Sequence, residues 1–503
     1  MSTTSPGAGR TSSGRGPGPW IVLVAVAAVP ALLLWLVAGW AGERADEAGD
    51  AAPDVSTPID DAGDAGDAAP VLSTSLIGFR RVPSLTSRDV NVDAFANELG
   101  GFFGSLNDRS CAAVSVDGQP VAAHNPDLAV IPASTQKLPV AATALEQLGA
   151  DFRYTTTVVA AGEPVGGTID GDLYLVGGGD PLLSSDWYPQ SNMERYAVTT
   201  PTSLDALADA VVAAGVTSIT GGVVGDGSRY DDEYFVDSWG DGVAGLEAGP
   251  YDALMANDSR VLGDDLKSND PNQGAAREFA RLLRERNVQI GADSSAGTAP
   301  DGAVTIASIQ SAPLSDVVAE MLGNSDNNTA ELLVKELGFD DGGVGTREAG
   351  LAVIEAQLRA WDVDTAPILL ADGSGLSPDN RLTCSALVTV LQETGVESAV
   401  GAGLPVAGET GTLSDVFTDH AAAGRLTGKT GTLNNPPFNT DPPAVKALAG
   451  YVPVEGGGAV EYALVLNGPT ISDQSEYRSI WYALGDALVT YPAGPSPAVL
   501  GPR

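Results

Sequence analysis

The chain has 503 residues, of which 65 are Asp or Glu and 26 are Lys or Arg, giving a formal net charge of −39. A surface so poor in cations repels a phosphate backbone, which argues against a nucleic-acid partner, and it makes an anionic lipid surface a poor one. The length allows two or three domains with substantial cores. With only two His and two distant Cys, no metal site and no cofactor is assigned.

Residues 1–19 carry Arg10 and Arg15 and precede an almost wholly apolar run from Ile21 to Trp40. About 20 such residues cross a bilayer, whereas the apolar region of a signal peptide is about 7–15 long. Residues 20–42 are therefore expected to form a transmembrane anchor with residues 1–19 in the cytoplasm. The competing reading is a cleaved signal peptide, since Gly39 and Ala41 put small residues where a signal peptidase reads. Either way the body of the chain is expected outside the cytoplasm, on the periplasmic or cell-wall side. Residues 43–75, dominated by Asp, Ala and Gly, read as an acidic disordered linker.

From about Pro83 the pattern becomes that of a folded region. A strand is predicted at Ala112–Val116, then the turn Asp117-Gly118, then a helix from Ser134 to a stop at Gly149. Pro139 lacks the N–H that a regular first turn needs, so an irregular start near Ser134 is expected. Residues 155–300 differ, with short β-like runs around Leu173–Val176 and Gly222–Val224 divided by Gly and Asp. Gly177-Gly178-Gly179-Asp180 reads as a tight turn, because no G-K-[ST] follows to make a phosphate loop. Thr329–Leu337 reads as a helix closed by Gly338, and strands about Ala447–Val452 and Glu461–Leu466 precede a helix about Glu476–Val489. Two strands in hairpin spacing and a closing helix suggest an antiparallel sheet packed with helices, an α+β architecture, with residues 491–503 as a tail.

Three short motifs stand in order: Ser134-Thr135-Gln136-Lys137, Ser325-Asp326-Asn327 and Lys429-Thr430-Gly431. Each alone is weak, but the ordered set S-x-x-K, S-x-N, K-T-G is that of serine enzymes acting on D-Ala-D-Ala peptides or β-lactams. Two of the chain's five lysines, Lys137 and Lys429, fall inside the two lysine-requiring motifs. Arg would not serve, since a guanidinium keeps its proton while a desolvated ammonium can lose it. On a helix, Lys137 lies one turn from Ser134 on the same face and, if neutral, can take the Ser proton. Ser325 can relay a proton and Asn327 can hold the substrate amide. Lys429 and Thr430 are expected to bind the terminal carboxylate, beside Gly431, and the N–H of Thr432 to complete an oxyanion hole. A Ser-His-Asp triad fits poorly, because His124 and His420 are the only histidines and no G-x-S-x-G elbow is evident.

With Gly171-Asp172-Leu173-Tyr174-Leu175-Val176-Gly177-Gly178-Gly179-Asp180-Pro181, Asp372-Gly373-Ser374-Gly375-Leu376-Ser377 and Leu404-Pro405-Val406-Ala407-Gly408, the motifs resemble those of the D-alanyl-D-alanine carboxypeptidase/endopeptidase family. These are the type-4, or class C low-molecular-mass, penicillin-binding proteins, and the resemblance covers about residues 83–490. It implies a penicillin-recognising transpeptidase-type domain, residues 83–154 and 301–490, interrupted by an inserted β-rich accessory domain, residues 155–300. It further implies Ser134 as the acylated nucleophile and Lys137 as its base, with Ser325, Asn327 and Lys429 completing the site. Peptidoglycan peptides ending in D-Ala-D-Ala would be substrates and β-lactams inhibitors. Val416 stands near where the family often has a basic residue, and Asn434–Pro443 looks like an added loop. A class A-like β-lactamase carries the same motifs but not the long gap between the first two, and a non-catalytic wall-binding scaffold would not need every catalytic position filled. Cys111 and Cys384 are candidates for a disulfide, as expected for a distant pair in an exported protein.

Overall fold

The computed structural model describes residues 82–499 apart from 192, 194–196, 241–242, 435–443, 456, 472 and 497–498. The expected anchor, the acidic linker and nearly all of the Asn434–Pro443 run therefore lie outside the described residues. Among the described residues no helix is long and apolar enough to cross a membrane.

Two sheets organise the chain. The first uses β1 (Cys111–Val116) and β2 (Gln119–His124) from the N-terminal part with β8 (Thr427–Leu433), β9 (Ala444–Pro453) and β10 (Ala459–Gly468) from the C-terminal part. Its order is β8-β9-β10-β1-β2, antiparallel throughout, so that β8 is an edge strand. Successive side chains of a strand point to opposite faces, and both faces of this sheet are apolar. Val445, Ala447, Ala449 and Tyr451 enter one core, while Ala444, Leu448 and Val452 enter the other. Helices cover both sides for that reason. On the first side lie α2 (Lys137–Leu148), α5 (Leu314–Asn324), α6 (Asn327–Gly342), α7 (Arg347–Ala360) and α8 (Cys384–Thr394); on the second lie α1 (Val82–Phe103) and α9 (Gln474–Leu488).

The second sheet is built within residues 155–310. Strands β3 (Thr155–Ala160), β4 (Leu173–Val176), β5 (Val223–Asp226), β6 (Ser295–Ala296) and β7 (Val304–Gln310) run in the order β6-β5-β4-β3-β7. It has its own core with α3 (Leu204–Ala213) and α4 (Pro271–Glu285). Strand β7 pairs with β3 from Val304 to Gln310, which carries this sheet past the limit at 300 drawn from composition. The Gly177–Asp180 run, read from the sequence as a tight turn, instead continues from β4 without a turn, Gly177 N bonding the carbonyl oxygen of Asp226 at 2.8 Å and Gly179 N that of Ala253 at 2.9 Å. Its glycines allow close packing, since a Cβ on Gly177 would stand 2.3 Å from the carbonyl oxygen of Ala253, and one on Gly178 2.2 Å from that of Thr155.

One helix boundary departs from the sequence reading. Gly338 does not close its helix, which continues to Gly342 and is capped by Gly343 in the left-handed conformation. A Cβ at Gly338 would lie 2.8 Å from Ala349 Cβ, and one at Gly350 would lie 1.7 Å from the carbonyl oxygen of Val334. These glycines let α6 and α7 approach closely, a packing role that a stop signal and a contact surface share in sequence.

Candidate active site

Ser134 lies in a 3-10 turn, Ala133–Gln136, that runs directly into α2. The irregular start expected from Pro139 is this turn. Ala133 has a positive φ of 48° and is fully buried. Behind the turn a Cβ on Gly375 would meet the carbonyl oxygen of Ala133 at 2.0 Å. On its other side a Cβ on Gly431 would stand 3.0 Å from the carbonyl oxygen of Pro132, so the glycine of K-T-G lets the turn lie against the edge strand β8.

Lys137 is fully buried, and its Nζ faces three acceptors: Ser134 Oγ at 3.1 Å, Asn327 Oδ1 at 2.7 Å and the carbonyl oxygen of Ser374 at 2.6 Å. Burial lowers its pKa to about 8, opposed by the carboxylates of Asp372, Asp326 and Glu331. A neutral amine has two N–H groups and one lone pair. Asn327 Oδ1 and the Ser374 carbonyl can only accept, so they take the two N–H groups, and the lone pair is left for the Ser134 hydroxyl. The donor count thus turns the base toward the nucleophile.

Both acceptors are held from behind. Asn327 Nδ2 donates to the carbonyl oxygen of Glu247 at 2.8 Å, which fixes its Oδ1 toward Lys137. Glu331 accepts from Gly373 N at 3.1 Å and Ser374 N at 2.8 Å, and Asp372 accepts from Gly375 N at 2.8 Å and Ser377 N at 2.6 Å. Burial, with Asp372 as neighbour, raises Glu331 to about 7. Trp239 Nε1 and Asn380 Nδ2 complete the bonding of Asp372, at 2.9 and 2.7 Å.

Ser325 and Asn327 occupy the break between α5 and α6. Ser325 ends α5 with φ 62°, a left-handed conformation unusual for a serine, and Asp326 caps α6 by accepting from Thr329 N at 2.6 Å. That reversal brings Ser325 Oγ to 2.8 Å from Lys429 Nζ. Lys429 also donates to the carbonyl oxygen of Thr430 at 2.7 Å. It is fully buried, and burial together with nearby Lys137 holds its pKa well below the usual lysine value. The sequence reading aims Lys429 at the substrate carboxylate; in the structure its amine lies on Ser325 Oγ and the Thr430 carbonyl.

These groups border one cleft of about 510 Å³, lined among others by Ser134, Ser325, Asn327, Thr430 and Thr432. Thr430 Oγ1 bonds Thr412 Oγ1 at 2.8 Å, and Val416 is another lining residue. Neither histidine belongs here: His420 stacks on Tyr482 with centroids 5.2 Å apart, and His124 Nε2 lies 3.1 Å from the carbonyl oxygen of Asn107. Away from the cleft, Cys111 and Cys384 form a disulfide between β1 and the first residue of α8.

The arrangement has a serine nucleophile bonded to a buried amine of lowered pKa, with a second serine–lysine pair opposite. The family model of the D-Ala-D-Ala carboxypeptidase 3 (S13) family matches residues 106–263 and 251–487, more than half of the chain. The chain belongs to this family. A D-alanyl-D-alanine carboxypeptidase of Actinomadura is 31% identical over 421 residues, covering 67% of this chain and 73% of the relative. A carboxypeptidase of Mycobacterium tuberculosis is 30% identical over 394 residues, covering 74% and 77%. Among solved structures, penicillin-binding protein 4 of Haemophilus influenzae superposes with a TM-score of 0.65 at 20% identity, over 78% of this chain and 99% of that one, and so shares the fold. S13 members are serine-type D-Ala-D-Ala carboxypeptidases, which makes this chain a hydrolase of that class.

Sequence reasoning reached Ser134, Lys137, Ser325, Asn327 and Lys429, which the fold brings together. It missed Glu331, the Ser374 carbonyl and the Glu247 carbonyl. The Asp372–Ser377 motif pointed to the right loop, but nothing in its spacing says that its backbone holds the base.

Proposed function

We propose that this S13 enzyme releases the terminal D-Ala from peptidoglycan stem peptides ending in D-Ala-D-Ala, through an acyl-enzyme on Ser134. The observation that carries this is the Lys137 Nζ to Ser134 Oγ contact of 3.1 Å, with the remaining bonds of Lys137 taken by acceptors. Ser134 Oγ attacks the carbonyl of the penultimate D-Ala while Lys137 takes its proton. The tetrahedral intermediate then breaks its C–N bond, and the leaving amine takes a proton delivered through Ser325 or Lys137. Water hydrolyses the ester by the same route in reverse. Thr430, Gly431 and Thr432 flank the peptide on the edge strand. Cleavage of cross-links, whose scissile bond also follows a D-Ala carbonyl, belongs to the same chemistry, and β-lactams would acylate the same serine.

Residues 155–300 are read as an accessory domain inserted into the catalytic one. Residues 20–42 are read as an anchor that keeps the enzyme at the outer side of the cell membrane, on a tether of residues 43–75. Fractionation of cells expressing the full chain tests the anchor, which requires the protein to sediment with membranes and to be released by deletion of residues 1–42.

The decisive experiment incubates the purified protein with a pentapeptide ending in D-Ala-D-Ala and, separately, with benzylpenicillin. D-Ala release, and a single long-lived penicillin adduct that Ser134→Ala abolishes, are expected. An adduct on the Ser134→Ala variant would remove the assignment of the nucleophile. Rapid penicillin turnover without D-Ala release would make the protein a β-lactamase. Neither reaction in a folded protein would leave a wall-binding scaffold.

A further inference from the structure

The K-T-G lysine does not supply the cation of the open cleft. Lys429 is fully buried, its amine taken up by Ser325 Oγ and the Thr430 carbonyl. Of the residues that line the cleft, Lys446 and Arg478 are the basic ones. Arg478 is bonded to Asp415, through the backbone carbonyl at 3.1 Å and the carboxylate at 3.3 Å. Lys446 has no carboxylate within ion-pair distance among the described residues. Its Nζ donates to Thr432 Oγ1 at 2.9 Å and stands 4.4 Å from the centre of the Tyr477 ring.

Register explains how Lys446 comes to be there. On the antiparallel pair β8 and β9, Thr432 lies directly opposite Lys446 and Thr430 opposite Leu448. Side chains two apart on one strand share a face with their cross-strand partners. The two threonine hydroxyls and the Lys446 ammonium therefore belong to one face of the sheet edge, and all three border the cleft that holds Ser134. An ammonium donating to a threonine oxygen leaves the hydroxyl hydrogen free to point elsewhere. The neighbouring ring face supports the cation without neutralising it. A chain with a net charge of −39 and five lysines has here a cation that none of the described carboxylates pairs with, beside the strand along which the substrate is proposed to lie.

We propose that Lys446 is the residue that reads the α-carboxylate of the leaving D-amino acid, directly and by orienting the Thr432 hydroxyl as a donor. This rests on the carboxypeptidase reading above and names the group that selects a free C-terminal acid. It assigns the carboxylate to a charge-assisted pair at the cleft face and leaves Lys429 to the proton path with Ser325.

The test compares an N-acylated tripeptide ending in D-Ala-D-Ala with the same tripeptide bearing a terminal carboxamide, by kcat/KM, for the full chain and its Lys446 variants. The unaltered enzyme should prefer the acid. In Lys446→Met that preference should fall by about tenfold or more, the loss of a charge-assisted bond, through the acid substrate and chiefly in KM. Lys446→Gln, which keeps a donor for Thr432 but no charge, should lose most of it too, and Lys446→Arg should keep most. If Met and Gln variants retain the acid preference, or if both substrates lose activity in parallel, the role given to Lys446 is wrong while the carboxypeptidase reading stands. If the unaltered enzyme releases neither D-Ala from the acid nor D-alaninamide from the carboxamide, that reading fails and the assignment of Lys446 fails with it.

Discussion

Gly375 and Ala133 touch through their backbones at a distance that admits no side chain: a Cβ on Gly375 would come within 2.0 Å of the Ala133 carbonyl oxygen and 3.0 Å of Ser134 N. Gly375 also has φ 84°, where an L side chain is strained. The nucleophile's turn thus rests on the loop whose Ser374 carbonyl holds Lys137. Gly375→Ala should displace one from the other, costing about 2–5 kcal/mol from overpacking and backbone strain combined. Acylation by benzylpenicillin should slow at least tenfold, and thermal unfolding measured on the same sample should show the lost stability. A variant with unchanged stability and acylation would mean the contact is not tight.

The motif residues were legible because each pairing is local: Lys137 stands three positions after Ser134 on one turn, and Asn327 two after Ser325. Their convergence was inferred from motif order, and the sheet with its antiparallel C-terminal hairpin from alternation and turn residues. What supports the base was not legible, since the carbonyls of Ser374 and Glu247 belong to backbone that any residue could supply. Glu331 sits on α6 one turn beyond Asn327 and reads as an ordinary helical acid until its two N–H donors are seen. Lys446 lies outside every motif, and only the register of β9 against Thr432 brings it to the cleft.

Lys137→Arg should lower the acylation rate by about 10³-fold or more, the scale of general-base catalysis, because the guanidinium retains its proton. On sequence grounds Lys429→Arg would be mild, a cation exchanged for a cation. The fully buried Lys429, held toward its neutral form and bonded to Ser325, changes that expectation to a loss of comparable size. Single-turnover acylation of both variants with one β-lactam settles it: a Lys429→Arg enzyme with more than about a tenth of the parent rate would return Lys429 to a purely electrostatic role.

The acylation rate should rise with pH through an apparent value near 8, since the neutral form of Lys137 is the base and burial has brought its pKa down to about 8. Asn327→Asp adds a carboxylate where Oδ1 now lies 2.7 Å from Lys137 Nζ. An opposite charge favours the ammonium, so the pKa moves up and the limb moves to higher pH. Because the limb is set by the fraction of neutral amine, moving it up by about one pH unit slows the reaction at pH 7 about tenfold. Glu331→Gln acts in the other sense by removing a charge that raises the Lys137 pKa, so its limb should move to lower pH. Rate–pH profiles of the three proteins give the order Glu331→Gln, parent, Asn327→Asp; any other order contradicts Lys137 as the base.

The disulfide joins positions 273 residues apart, across the whole inserted segment, and both cysteines are fully buried in the core shared by the sheet and α2. Closing so long a loop restricts the unfolded chain by about 5–6 kcal/mol in the chain-entropy model. Most of that should appear as lost stability in the Cys111→Ala/Cys384→Ala double variant, offset in part because alanine keeps the sites apolar. The active-site geometry does not pass through the bond, since Lys137, Asn327 and Ser374 are held by α2, α6 and the Asp372–Ser377 loop. Acylation by benzylpenicillin at low temperature should therefore stay within about twofold of the parent, while denaturant unfolding shifts to lower midpoints with a larger m-value as the unfolded chain expands. Two alkylatable thiols in the unreduced, denatured parent protein would rule the bond out, and a double variant as stable as the parent would show that the loop constraint contributes nothing.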